Sequence, residues 1–260
     1  MTNDGILEFY NYNATLATSP ESRDYRIGWI QNHHDQSELA KSSNANILLI
    51  GDSIALGIQR YPRVWYKYFE KQNTLNFGVS GDKTQHVLWR LNQLSLPETL
   101  KYGVILCGSN NLCHDSTEDI TDAIMIIACI LETKVPNIKV IISGILPRDS
   151  KLSKNRKSIE EINTSLEKRC SQYHNIFFIP HNEGWVDDNG ELKEDLFYKD
   201  KLHLIENGNM KLSKSIIETI KKIKLVTTTK HSSKSTMYKN VTKSNTFTYE
   251  KEDLPLLKIA

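Results

Sequence analysis

A serine, a histidine and an aspartate stand where nucleophilic chemistry could use them. Ser53 closes Ile50-Gly51-Asp52-Ser53 directly behind the apolar run 46–50, and Asp200-Lys201-Leu202-His203 lies far downstream, ahead of the last helical pattern. A hydroxyl is a weak nucleophile near neutral pH and needs a base within hydrogen-bond reach. An imidazole that serves as that base needs a carboxylate to fix its tautomer and steady the charge it acquires. Asp200 and His203, three residues apart, can supply both from one short turn. The expected chemistry is acyl transfer, with Ser53 attacking, His203 moving the proton and Asp200 orienting His203. Asp52 is read as bonding local backbone, because its place beside the serine points it away from the reaction.

Attack on an ester carbonyl creates an oxyanion, which needs donors already in place. Three are available: the backbone amide of Ser53 at the mouth of the helix that follows it, the amide of Gly81 in Gly78-Val79-Ser80-Gly81-Asp82, and the carboxamide of Asn110 in Gly108-Ser109-Asn110-Asn111.

These segments need a scaffold that brings them together. Short runs rich in Ile, Val, Leu and Phe predict strands over 46–50, 74–77, 102–107, 139–143 and 176–179. Apolar positions three and four apart predict helices over 59–71, 83–94, 117–134, 154–173 and 206–223, and Arg23 to Lys41 should add an N-terminal helix. Strands that alternate with helices form a mainly parallel sheet with helices on both faces, since parallel neighbours need crossover connections. Ligands of such sheets bind beyond the carboxyl ends of the strands. Ser53 follows the first strand, Gly81 the second, Asn110 the third and Leu146-Pro147-Arg148 the fourth, and the Asp200/His203 turn precedes the final helix. All therefore fall on one rim.

Composition narrows the alternatives. Thirty-three basic and 31 acidic residues leave a formal charge of +2, so no general attraction to nucleic acid or to a membrane surface is implied. With 39% hydrophobic residues in 260, one core domain is the simplest organisation. No apolar stretch approaches the ~20 residues of a spanning helix and the start of the chain lacks a secretory pattern, so the expectation is a cytoplasmic protein without membrane insertion. Cys107, Cys113, Cys129 and Cys170 show no Cys-x-x-Cys spacing and read as free thiols; His33, His34, His114, His174, His181 and His231 are scattered without metal-ligand spacing. No metal or cofactor is expected. The segment 1–22 reads as a polar arm, 23–225 as the folded body, and 226–260, dominated by Thr, Ser, Lys and Asn, as a tail too polar to order itself.

Taken together, the four blocks resemble the SGNH (GDSL-type) hydrolases. More narrowly, Leu75 to Asp82, His86 to Leu91, Gly108 to Asn111, Leu146-Pro147-Arg148 and Leu202-His203-Leu204 resemble the catalytic subunits of intracellular type I platelet-activating-factor acetylhydrolases. The resemblance implies a flavodoxin-like three-layer α/β fold, a triad of Ser53, Asp200 and His203, and an oxyanion hole of Ser53, Gly81 and Asn110. It further implies that Ile54 and Leu202 wall an acyl pocket of acetyl size, so that the substrate would be a small ester with a short acyl group. It allows a homodimer and a β-propeller partner. Ser80 stands where the family usually has a glycine, and Ser109 where it has a threonine. Hydrolysis of acetyl groups from carbohydrate is the nearest alternative, and an idle binding module the rival from another class; the intact set of five residues speaks against the latter. His86, Trp89 and Arg90 read as packing or bonding across the domain. Arg148 reads either as steering an anionic group or as pairing with a carboxylate.

Overall fold

The computed structural model describes residues 15–241, with side chains as far as Val226. The chain divides into two compact units, Met1–Thr219 and Ile220–Ala260. The first carries the sheet and every candidate site residue named above; the described part of the second continues the last helix.

Five strands, β1 (Ile47–Gly51), β2 (Thr74–Gly78), β3 (Tyr102–Leu106), β4 (Lys139–Ser143) and β5 (Ile176–Ile179), form one all-parallel sheet in the order β2-β1-β3-β4-β5. Every residue of β1 and β3 is buried, as continuous apolar runs in a sheet covered on both faces should be. Around the sheet lie α1 (Trp29–Ser42), α2 (Ser53–Arg60), α3 (Pro62–Tyr68), α4 (Thr84–Gln93), α5 (Thr117–Lys134), α6 (Lys154–Cys170) and α7 (Glu206–Val241). The main core joins Leu48, Ile50, Ile105 and Ile142 to apolar side chains of α4, α5 and α6. Their alternates Leu49, Val104 and Ile141 face the other way and are equally buried, and α2 packs on β1 and β2. No helix among the described residues is long and apolar enough to cross a membrane.

Side-chain caps start the helices that matter. The Asp52 carboxylate accepts the Ile54 N–H at 2.8 Å ahead of α2, Ser116 caps α5 through Asp119, and Ser153 caps α6 through Arg156.

The strands follow the apolar runs to within a residue, but three helical expectations are corrected. The helix expected over 59–71 begins earlier, at Ser53, and is split: Tyr61 is extended (φ −105°, ψ 100°) because it precedes Pro62, which opens α3. The N-terminal helix starts only at Trp29, after left-handed Gly28, and 23–28 forms turns instead. The last helix runs to Val241, so 226–241, expected to stay unstructured, is helical; 242–260 lies outside the described residues. Residues 15–22 of the polar arm lie against α4, with Ala17 O accepting from Thr84 Oγ1 and Glu21 N–H donating to Gln85 O.

Candidate active site

The end of β1 is fixed before the chain turns into α2. Asp52 N–H donates to Leu106 O at 2.9 Å, and a Cβ on Gly51 would sit 1.9 Å from that same carbonyl oxygen, so β1 and β3 approach here in a way that only glycine allows. Ser53 is thereby set at the first position of α2, its amide free of the helical ladder. Asp52 is used as a cap. Burial pushes its carboxyl up to about 7, against the pull of the Ile54 N–H.

The Asp200 turn is organised by its own carboxylate. Oδ1 accepts the amides of Leu202 and His203, each at 3.0 Å, while Oδ2 accepts from His203 Nδ1 at 2.7 Å. Tyr198 N–H returns to His203 O, closing the loop even though Lys201 takes a left-handed φ of 54°. Burial pushes the Asp200 carboxyl up, but the hydrogen bonds from the His203 ring and the two amides outweigh it and hold the group below its usual range. With Nδ1 protonated toward Asp200, His203 Nε2 is the free acceptor, and it lies 2.9 Å from Ser53 Oγ. Residues 150 positions apart thus form one continuous hydrogen-bonded series.

The second and third blocks meet each other and reach the end of β1, where Val79 N–H donates to Gly51 O at 3.0 Å. Gly81 adopts φ +77°, held by Asp82 N–H on Val79 O, and Asn110 Nδ2 donates to Asp82 O at 2.9 Å, which ties the carboxamide to the Gly81 turn. Among the described residues, no acceptor takes the amide of Ser53 or Gly81. These unclaimed donors flank the carboxyl ends of β1, β2 and β3, on either side of the place where strand order reverses.

Comparison with known proteins agrees with this geometry. The profile of the GDSL-like lipase/acylhydrolase family matches residues 49–211. This chain belongs to that family. Platelet-activating factor acetylhydrolase IB subunit alpha2 of Homo sapiens is 33% identical over 196 residues, covering 74% of this chain and 83% of its own. The alpha1 subunit of Rattus norvegicus is 30% identical over 181 residues, covering 69% and 77%. A crystal structure of a GDSL-like lipase from Bacteroides thetaiotaomicron shares the fold, with a TM-score of 0.64 at 19% identity over 75% of this chain and 97% of that one. As a GDSL acylhydrolase with acetylhydrolase relatives, the protein is an ester-hydrolysing enzyme.

Of two cavities at this end of the sheet, one borders the Ser53–His203 pair of this GDSL hydrolase, and Ile54 lines both. One, of about 60 Å³, includes Ser53, Arg60, Tyr61, Tyr198 and His203. The other is narrower, with about 20 Å³ for the centre of a water-sized group, and brings Ile54 and Leu202 together with Leu106, Cys107 and Ile145.

Arg90 bonds across the domain, as the sequence reading has it, and several further contacts around the site had no signature in the sequence. Asp82 is wholly buried and takes Arg23 Nη1 at 3.0 Å, Trp29 Nε1 at 2.8 Å and Arg90 Nε at 2.8 Å. Arg90 in turn donates to Phe77 O and Gly51 O, so one ion pair joins the ends of β1 and β2 to the Gly81 turn. Tyr61 and Tyr198 share a 2.7 Å hydroxyl contact across the 60 Å³ cavity. Buried Ser143 and His181 form a second serine–histidine contact at 2.8 Å; burial lowers that imidazole to about 4 and the charge facing it is Lys211, not a carboxylate. Sequence separation hides the tyrosine pair and the Ser143–His181 contact, because nothing in residue type links positions so far apart. Arg148 pairs with its neighbour Asp149 and donates to Ser109, which assigns it to holding the loop after β3. Among the described residues, no three His, Cys, Asp or Glu side chains cluster as metal ligands.

Proposed function

We propose that this enzyme hydrolyses short-acyl, acetyl-type carboxylic esters through an acyl-serine intermediate. The observation that carries the reading is the continuous series Ser53 Oγ, His203 Nε2, His203 Nδ1, Asp200 Oδ2, with a narrow cavity walled by Ile54 and Leu202, the chain neighbours of Ser53 and His203. Ser53 attacks the carbonyl carbon while His203 Nε2 takes its proton; ionised Asp200 holds the imidazole and steadies its positive charge. The developing oxyanion meets the amides of Ser53 and Gly81 and the carboxamide of Asn110. Collapse expels the alcohol, which receives the proton from His203. Water, deprotonated by the same imidazole, then cleaves the acyl-serine to release the acid and restore the hydroxyl.

Acyl length follows from size. Ile54 and Leu202 leave little space in the narrow cavity, and the relatives' names describe acetylhydrolases. Each methylene that finds no room costs ~1–3 kcal/mol of transition-state binding, so discrimination compounds along the chain. Turnover of acetyl against octanoyl nitrophenyl esters tests this. A kcat/KM at least about 100-fold higher for acetyl is expected; equal or faster turnover of octanoyl would reject the short-acyl reading.

A further inference from the structure

The small cavity beside Ile54 and Leu202 does not end in solid core. A groove of about 620 Å³ runs along α6, lined by Pro147, Ile159, Thr164, Phe178 and His181, and within the span of ~300–1,000 Å³ typical of small-molecule sites. Ile145 lines both spaces, and among the described residues no other does. Its main chain cannot swing aside. Ile145 N–H donates to Asn163 Oδ1 at 2.8 Å, Asn163 Nδ2 donates back to Ile145 O at 2.9 Å, and the preceding Gly144 N–H is bound to Ile179 O at 3.0 Å. The barrier is therefore the side chain itself. It is β-branched and stiff, 5% exposed, and its Cδ1 lies so close over Gly108 that an added Cβ there would meet it at 2.9 Å. Ser143 on the cavity side and His181 on the groove side complete the partition through their 2.8 Å hydrogen bond.

We infer that Ile145 is the specificity-determining end wall of the acyl cavity, and that truncating it joins that cavity to the α6 groove and admits long acyl chains. The inference rests on the short-acyl reading of the site. Octanoyl exceeds acetyl by six methylenes, and a hydrophobic pocket discriminates roughly 10–200-fold for one, so opening the wall has a large range in which to register. The groove offers Ile159 and Phe178 to the emerging chain.

The test measures kcat/KM for acetyl, butyryl and octanoyl nitrophenyl esters with the wild type, Ile145→Ala, and Ile145→Ala combined with Thr164→Trp. Thr164 is exposed on α6, so the tryptophan fills the groove without entering the core. In Ile145→Ala the octanoyl-to-acetyl ratio should rise by at least about tenfold; adding Thr164→Trp should remove the octanoyl gain and keep the butyryl gain. A folded Ile145→Ala enzyme with the wild-type chain-length profile would overturn the inference, and an octanoyl gain indifferent to Thr164→Trp would overturn the connection to the groove. Should Ile145→Ala fail to fold, Ile145→Val must shift the profile toward butyryl, and an unchanged profile there overturns the inference as well. A wild type that already prefers octanoyl removes the short-acyl reading instead, a result seen before any substitution is made.

Discussion

Asp200 does two jobs with one carboxylate. Oδ1 shapes its own turn by taking two amides, while Oδ2 fixes the His203 tautomer that leaves Nε2 facing Ser53. Asp200→Asn should separate the two. The carboxamide oxygen can still accept a backbone amide, but it offers no negative charge to the imidazolium, so kcat should fall ~10³–10⁴-fold with little change in unfolding midpoint. Rates on an acetyl ester and a urea titration check this; a loss under tenfold would mean that Asp200 is not the orienting acid. Ser53, Asp200 and His203, which hydrogen bonds join in the structure, could be picked out from sequence because each carries its chemistry in its residue type and sits in a short motif, whereas Gly81 and Asn110 are read as oxyanion donors from the loops they occupy. Tyr61 with Tyr198, and Ser143 with His181, could not: tyrosines and buried serines occur in many cores, and only folding shows which of them touch.

The element that sets the site is α2, and what holds its entrance is buried charge. Asp82 and Arg90 are both fully enclosed, and between them they reach the carbonyls of Gly51 and Phe77 and the turn that presents Gly81. Removing one member leaves the other uncompensated. Asp82→Ala should cost about 3–5 kcal/mol of stability, read by denaturant unfolding, and should lower activity by moving Gly81. Asp52 poses the opposite case. It caps α2, yet its folded carboxyl titrates at about 7, above the ordinary 3.8. The raised value means that folding binds a proton that the unfolded chain gives up: no cost below pH 4, a growing one as pH rises, and the full cost above about 7. Asp52→Asn keeps a capping oxygen and removes the ionisation, so it should stabilise by on the order of 3–4 kcal/mol at pH 9 and by little at pH 4. Equal effects at both values would show that the carboxyl titrates normally. Helix ends were the least legible part of the fold: α2 lies hidden in Ser53 to Arg60, where the periodic pattern is too short to register, and Pro62 marks the break only once Tyr61 is seen to be extended.

At the scale of the whole molecule, alternating apolar runs and amphipathic stretches were enough to give a parallel sheet, because β1 and β3 are buried on both faces and carry almost no polar residue. Strand order was not legible; it depends on which edges meet, and no periodicity records that. The observed order β2-β1-β3-β4-β5 reverses between β1 and β3, and because every strand pair is parallel the segments following β1, β2 and β3 leave at one rim, where the His203 ring reaches Ser53. Among the described residues the fold holds two serine–histidine contacts, Ser53 with His203 and Ser143 with His181, and of these only the first imidazole is backed by a carboxylate. A fluorophosphonate reacts with an activated serine, so labelling the full chain and locating the adduct by peptide mass spectrometry decides between them. One adduct is expected, on Ser53, absent from Ser53→Ala and strongly reduced in His203→Ala. An adduct on Ser143, or labelling that survives Ser53→Ala, would contradict it.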